Sequence, residues 1–127
     1  MNPAFNFDCR FPVRDYEGGM SDVLVILCTF PELSQARQVG TVLVEKQLAA
    51  CVNIIPGLES LFRWEGKVCR ETEVMAVIKT GRDCFSALKE ALVELHPYDV
   101  PEVLALPVAG GAEAYMDWVR EETRAGG

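Results

Sequence analysis

Residues 50–80, ACVNIIPGLESLFRWEGKVCRETEVMAVIKT, read as two long strands folded back on each other. Ala50 to Ile55 is strand-like, Pro56-Gly57 is a breaker pair, and extended character resumes from Leu58 to Trp64. Proline cannot donate to a ladder and glycine accepts unusual backbone angles, so the pair predicts a bulge or bend inside one strand. Glu65-Gly66 signals a tight turn. Lys67 to Thr80 then returns, with Val74, Ala76 and Ile78 alternating against Met75, Val77 and Lys79, the period of two that puts neighbours on opposite faces. This hairpin is longer than a small domain needs. Its unpaired edges predict a further strand to pair with, and a neighbouring subunit is the obvious source.

Ahead of the hairpin, Asp22 to Thr29 (DVLVILCT) is a near-continuous apolar run, as in a strand at the centre of a sheet. After Pro31, Ala36, Val39, Leu43 and Gln47 step by three or four residues, which predicts an amphipathic helix over Glu32 to Leu48 with Ser34 or Glu32 at its start. Gly40 inside it costs up to about 1 kcal/mol relative to alanine, so close packing is expected there. Phe85, Leu88, Leu92 and Leu95 form the stripe of a second helix, Gly81 to His96. Val103 to Val108 reads as a strand. Gly110-Gly111 breaks the chain, and Ala112 to about Thr123 is a short helix with Tyr115, Met116 and Val119 on one side. The order β-α-β-β-α-β is the split βαβ, ferredoxin-like arrangement, an α+β sandwich with an extra C-terminal helix and a long hairpin. Residues 21–124 form the one domain. Residues 1–20 mix aromatics, proline, cysteine and charge, end near Gly18-Gly19, and read as a poorly ordered extension, with Met20 as a natural start. Residues 124–127 are expected to fray.

Composition narrows the function. Half of the 127 residues are hydrophobic, enough to bury a core, and the net charge is −7. A chain this acidic is not built to follow a phosphate backbone or to dock on an anionic membrane, so no nucleic-acid or membrane partner is expected. No run approaches the length of a membrane span. The five cysteines are scattered without a CxxC pair, which suits free thiols in a reducing, cytoplasmic setting better than a disulfide framework. There is no GxSxG, P-loop or HExxH, so a binding protein is expected and not an enzyme, and no organic cofactor is evident.

His96-Pro97-Tyr98-Asp99-Val100-Pro101-Glu102 holds the chain's one histidine, two of its seven prolines, a tyrosine and two carboxylates. Pro97 stops the helix before it, which places His96 at a helix C-terminus, where the partial negative charge favours an imidazolium. A segment this rigid suits a site. It equally suits a plain helix-to-strand connection.

These features add up to a specific likeness. LAACVNIIPG (48–57) leads to Ser60, FRWEGK (62–67), Glu73, IKT (78–80), HPYDVPE (96–102) and AYMDW (114–118), in order and with consistent gaps. The series, from about Val23 to about Glu121, closely resembles the divalent-cation tolerance (CutA) family. The resemblance implies a homotrimer of ferredoxin-like subunits that share long hairpins, in an assembly similar to the PII signalling proteins. It also implies a link to tolerance of copper and other divalent metals, and binding of copper. Phe62 stands where the family usually has tyrosine, which removes a hydroxyl and any hydrogen bond it made.

Two constellations follow as candidates. Cys51 and His96 form the metal hypothesis, because thiolate and imidazole suit copper or zinc. One histidine per chain cannot build a histidine-rich site, so ligands would be gathered from several subunits. A buried core cysteine and a backbone-bonded histidine explain the same residues. Trp64, Glu73, Lys79, Tyr98, Glu102 and Trp118 form the second set. A lysine facing a tyrosine and a glutamate could hold a small anion in a subunit cleft, or simply pair across an interface. The tryptophans suit interface anchors. The expectation is a trimeric copper-binding tolerance protein that responds to metal ions. Its alternative is a PII-like signalling trimer with a small anionic ligand and an unidentified protein partner.

Overall fold

The structure is a computed structural model and describes residues 22–124. The expectations for residues 1–20 and for the last three residues lie outside the described part. Strand β1 (Val23–Phe30) is followed by helix α1 (Leu33–Glu45). The long strands β2 (Cys51–Trp64) and β3 (Lys67–Gly81) come next. A short 3-10 turn (Arg82–Cys84) then opens helix α2 (Phe85–Leu95). Strand β4 (Leu104–Pro107) and helix α3 (Glu113–Glu122) complete the domain. The sheet order is β2-β3-β1-β4, with every neighbouring pair antiparallel. This is the expected split βαβ topology, and it leaves β2 and β4 as open edges.

Alternation along the strands sorts the side chains. Leu24, Ile26, Cys28 and Phe30 of β1 stand opposite Thr80, Ile78, Ala76 and Val74 of β3. All but Thr80 enter the main core with Ala36, Val39 and Leu43 of α1 and Leu88 and Leu92 of α2. Gly40 lies where α1 crosses β2: a Cβ there would come within 3.2 Å of Val52 Cγ1, the close approach that the glycine permits. The odd-numbered residues face away. Val25 and Leu27 pair with Leu106 and Leu104 of β4, and Lys79 and Val77 of β3 lie across from Val25 and Leu27. Leu104, Leu106 and Ile55 are exposed on that side. Helix α3 closes only its corner, through Val23, Ala50, Met116 and Val119.

The hairpin bends where the sequence placed the bend. Its register shifts between Ile55 and Leu58, with Gly57 at φ 82°. Glu65 (φ 50°) and Gly66 (φ 80°) make the turn, both left-handed as a two-residue hairpin turn with matching twist demands. Helix ends differ from expectation. Helix α1 stops at Glu45, short of Leu48, because Gln47 turns left-handed at φ 61°. Leu48 N–H then donates to Leu43 O and Gln47 N–H to Val44 O, a Schellman closure built without glycine. Helix α2 ends at Leu95, with His96 extended (ψ 141°) ahead of Pro97. Arg124, expected to fray, donates its N–H to Gln47 O at 3.1 Å.

Candidate functional site

All the candidate residues but Trp64 fall into two groups, set apart along the sheet. The first is organised by His96, which is buried and stacks on Phe30 with ring centroids 4.4 Å apart. Its Nε2 lies 2.7 Å from Thr29 O, an acceptor, so the proton sits on Nε2 and is donated. Its Nδ1 accepts the N–H of Tyr98 at 3.0 Å. Both nitrogens are thus spent, in the neutral ring. Burial lowers the pKa below the ordinary histidine value, against the opposing pull of Thr29 O and Glu73. This corrects the expectation of an imidazolium: removal from water outweighs the partial charge of the helix end.

Tyr98 follows on the same connection. Its hydroxyl donates to Glu73 Oε2 at 2.6 Å, and burial, then this carboxylate, pushes the phenol's pKa up. Glu102 is exposed nearby, and its charge reaches Cys28. Burial first, then Glu102 and Glu73, pushes the Cys28 thiol up to about 12, which makes it an inert core residue.

The second group sits on the open face, under α3. Cys51 and Lys79 are direct partners across β2 and β3, so their side chains share a face. Asn53, two residues along, is on that face too. Its Oδ1 accepts from Lys79 Nζ and, at 3.6 Å, from Cys51 Sγ. Tyr115 of α3 reaches the same place: burial and then Cys51 beside it raise its pKa. Trp118 stands 5.5 Å from Tyr115, ring to ring. Tyr115 was expected on the buried side with Met116 and Val119, but it lies on the outer flank, exposed beside Trp118.

Distance separates the groups. Lys79 pairs with Val25, whereas His96 bonds Thr29, four residues and about 13 Å further along β1. One chain therefore brings Glu73 to Tyr98, and Cys51 to Lys79, but does not bring Cys51 to His96 or Lys79 to Tyr98. Trp64 belongs to neither group: it pairs with Lys67 at the hairpin end, 59% exposed. Asn53 and Tyr115 were missed from sequence. Their only signals are a strand spacing of two from Cys51 and a helix spacing of three from Trp118. Among the described residues, no group of three or more His, Cys, Asp or Glu is placed to hold a metal ion. The donors of a single chain do not fit one, because His96 has no lone pair to spare and Cys51 stands apart from it, its Sγ turned to Asn53.

Comparison with known proteins gives consistent results. The profile described as "CutA1 divalent ion tolerance protein" matches residues 24–122. The divalent-cation tolerance protein CutA of Thermus thermophilus is 50% identical over 99 residues, covering 78% of this chain and 96% of that protein. The chloroplastic protein CutA of Arabidopsis thaliana is 42% identical over 101 residues, 80% of this chain and 56% of the plant protein. Among solved structures, the Thermus thermophilus protein superposes with a TM-score of 0.79 at 48% identity, covering 80% of this chain and 99% of that one. The Xylella fastidiosa CutA gives 0.80 at 39%, covering 82% and 100%.

Proposed function

We infer what this chain does from the family to which it belongs, the CutA1 divalent ion tolerance proteins. The proposed function is divalent-cation tolerance exerted by a homotrimer that binds copper or a similar cation and responds to it. The observation that carries the assembly is the uncovered apolar surface. Leu104, Leu106 and Ile55 are exposed on the open face, and Leu61, Phe62, Trp64 and Val68 are exposed on the hairpin arm. Large apolar side chains left exposed in this number suit an interface, and two open sheet edges allow head-to-tail closure of a ring. Free cysteines at all four described positions support a reducing, cytoplasmic setting.

Metal contact is proposed at Cys51 and His96 taken from different subunits, since one chain holds them apart. His96 would have to surrender the Tyr98 N–H to offer Nδ1. Copper titration of the reduced trimer, with stoichiometry read by native mass spectrometry, tests this beside Cys51→Ser and His96→Ala. Tight binding lost in either variant supports the site. Binding that is weak, or unchanged in both, removes these residues from metal chemistry. A second reading, a PII-like signalling trimer that binds a small anion, is favoured by one observation: Lys79 is half-buried without a carboxylate partner among the described residues.

A further inference from the structure

Of the lysines in the described part, Lys46, Lys67 and Lys89 are exposed, as solvated charges should be, and Lys79 alone is half-buried. Its ammonium has three protons to donate, and the partner seen for it is the neutral Asn53 oxygen. It takes part in none of the ion pairs seen among the described residues. Ammonium groups drawn away from water are ordinarily paired. The surroundings are equally specific. Tyr115 and Trp118 present two rings, 43% and 39% exposed, at a centroid distance of 5.5 Å. Cys51 joins Lys79 to Tyr115 across the corner.

We propose that this corner, formed by Asn53 of β2, Lys79 of β3 and Tyr115 and Trp118 of α3, binds a small organic anion that carries a planar ring. The anionic group meets the ammonium of Lys79 and the side-chain amide N–H groups of Asn53, whose oxygen is already engaged. The ring lies against Trp118 and Tyr115, which offer flat apolar surface with a polar tip. The proposal rests on the anion-binding reading above and adds to it the ring and the residues.

The test uses 2-naphthoate as probe, with inorganic phosphate as an anion that lacks a ring. The chain has two tryptophans, so a Trp64→Phe background leaves Trp118 to report by its fluorescence. The expected result is saturable quenching by naphthoate and binding weakened by roughly tenfold or more in Lys79→Met and in Trp118→Ala, as loss of a charge-assisted contact or a stacking ring requires. Lys79→Arg should keep most of the affinity. If phosphate binds as tightly as naphthoate, the ring is overturned and the anion reading stands. If neither probe binds, both fall. Naphthoate affinity unchanged in Lys79→Met overturns the proposal. So does sedimentation that shows Lys79→Met breaking the assembly, because the ammonium would then serve a subunit contact.

Discussion

Between Thr29 and Tyr98 the His96 ring donates through Nε2 and accepts through Nδ1, and an imidazolium could not do the second. Burial holds its pKa below the ordinary 6.5, so on acidification the unfolded chain takes up the proton first. The stability carried by the neutral ring is therefore complete above about pH 6.5 and is lost as pH falls from there through the depressed folded value. Urea midpoints measured at about pH 7.5 and about pH 5 should show this loss in the wild type and a shallower one in His96→Gln; equal slopes would remove His96 from the pH response. Tyr98 poses a related question at Glu73, which is 8% exposed and accepts its hydroxyl at 2.6 Å. Tyr98→Phe leaves that carboxylate oxygen without its donor, and unfolding should report a loss of about 1–3 kcal/mol. A variant as stable as wild type would mean that water replaces the phenol there.

The turn after α1 is an element that runs against a local rule. Gln47 is left-handed at φ 61° in a Schellman closure where glycine is the usual residue. Its backbone oxygen accepts from Arg124 and would be unaffected by a change of side chain. Gln47→Gly should stabilise the fold by up to about 1–2 kcal/mol, the steric penalty of a left-handed side chain, read as a raised melting temperature. An unchanged or lowered melting temperature would show that the Gln47 side chain contributes more than its backbone angle costs. This helix end shows where sequence reading stopped. The apolar stripe of α1 runs on to Leu48, and without a glycine nothing in the letters announces an end at Glu45. The hairpin was legible because Pro56-Gly57 and Glu65-Gly66 are local signals with local consequences. The pairing of Tyr98 with Glu73 was legible only as membership of one set. The corner at Lys79 was legible only in Lys79 and Trp118 as members of that same set; Asn53 joins it through strand register and Tyr115 through the docking of α3, which no local pattern encodes.

The whole molecule carries its apolar surface on two sides of the sheet, and α1 and α2 cover only one. Val25 and Leu27 are partly covered on the other side, and Leu104 and Leu106, directly across from them on β4, are 53% and 46% exposed. A β4 this short has little else to recommend it as an exposed edge, because leucines on an open edge invite pairing with another chain. If the face is a subunit interface, burying it there contributes to stability at about 25 cal/mol per Å² of apolar area removed from water. The folded state would then be linked to protein concentration by mass action. The double variant Leu104→Glu with Leu106→Glu places two charges on that face and none in the main core, where Ala105 pairs with Ile26 instead. It should sediment as a monomer at micromolar concentration, keep its far-ultraviolet circular dichroism, and melt at a lower temperature that no longer depends on concentration. Wild-type protein should sediment as a trimer whose melting temperature rises with concentration. A double variant that remains trimeric would place the interface on the hairpin arm and not on this face. Wild-type protein that is itself monomeric would leave Leu104 and Leu106 as tolerated surface leucines.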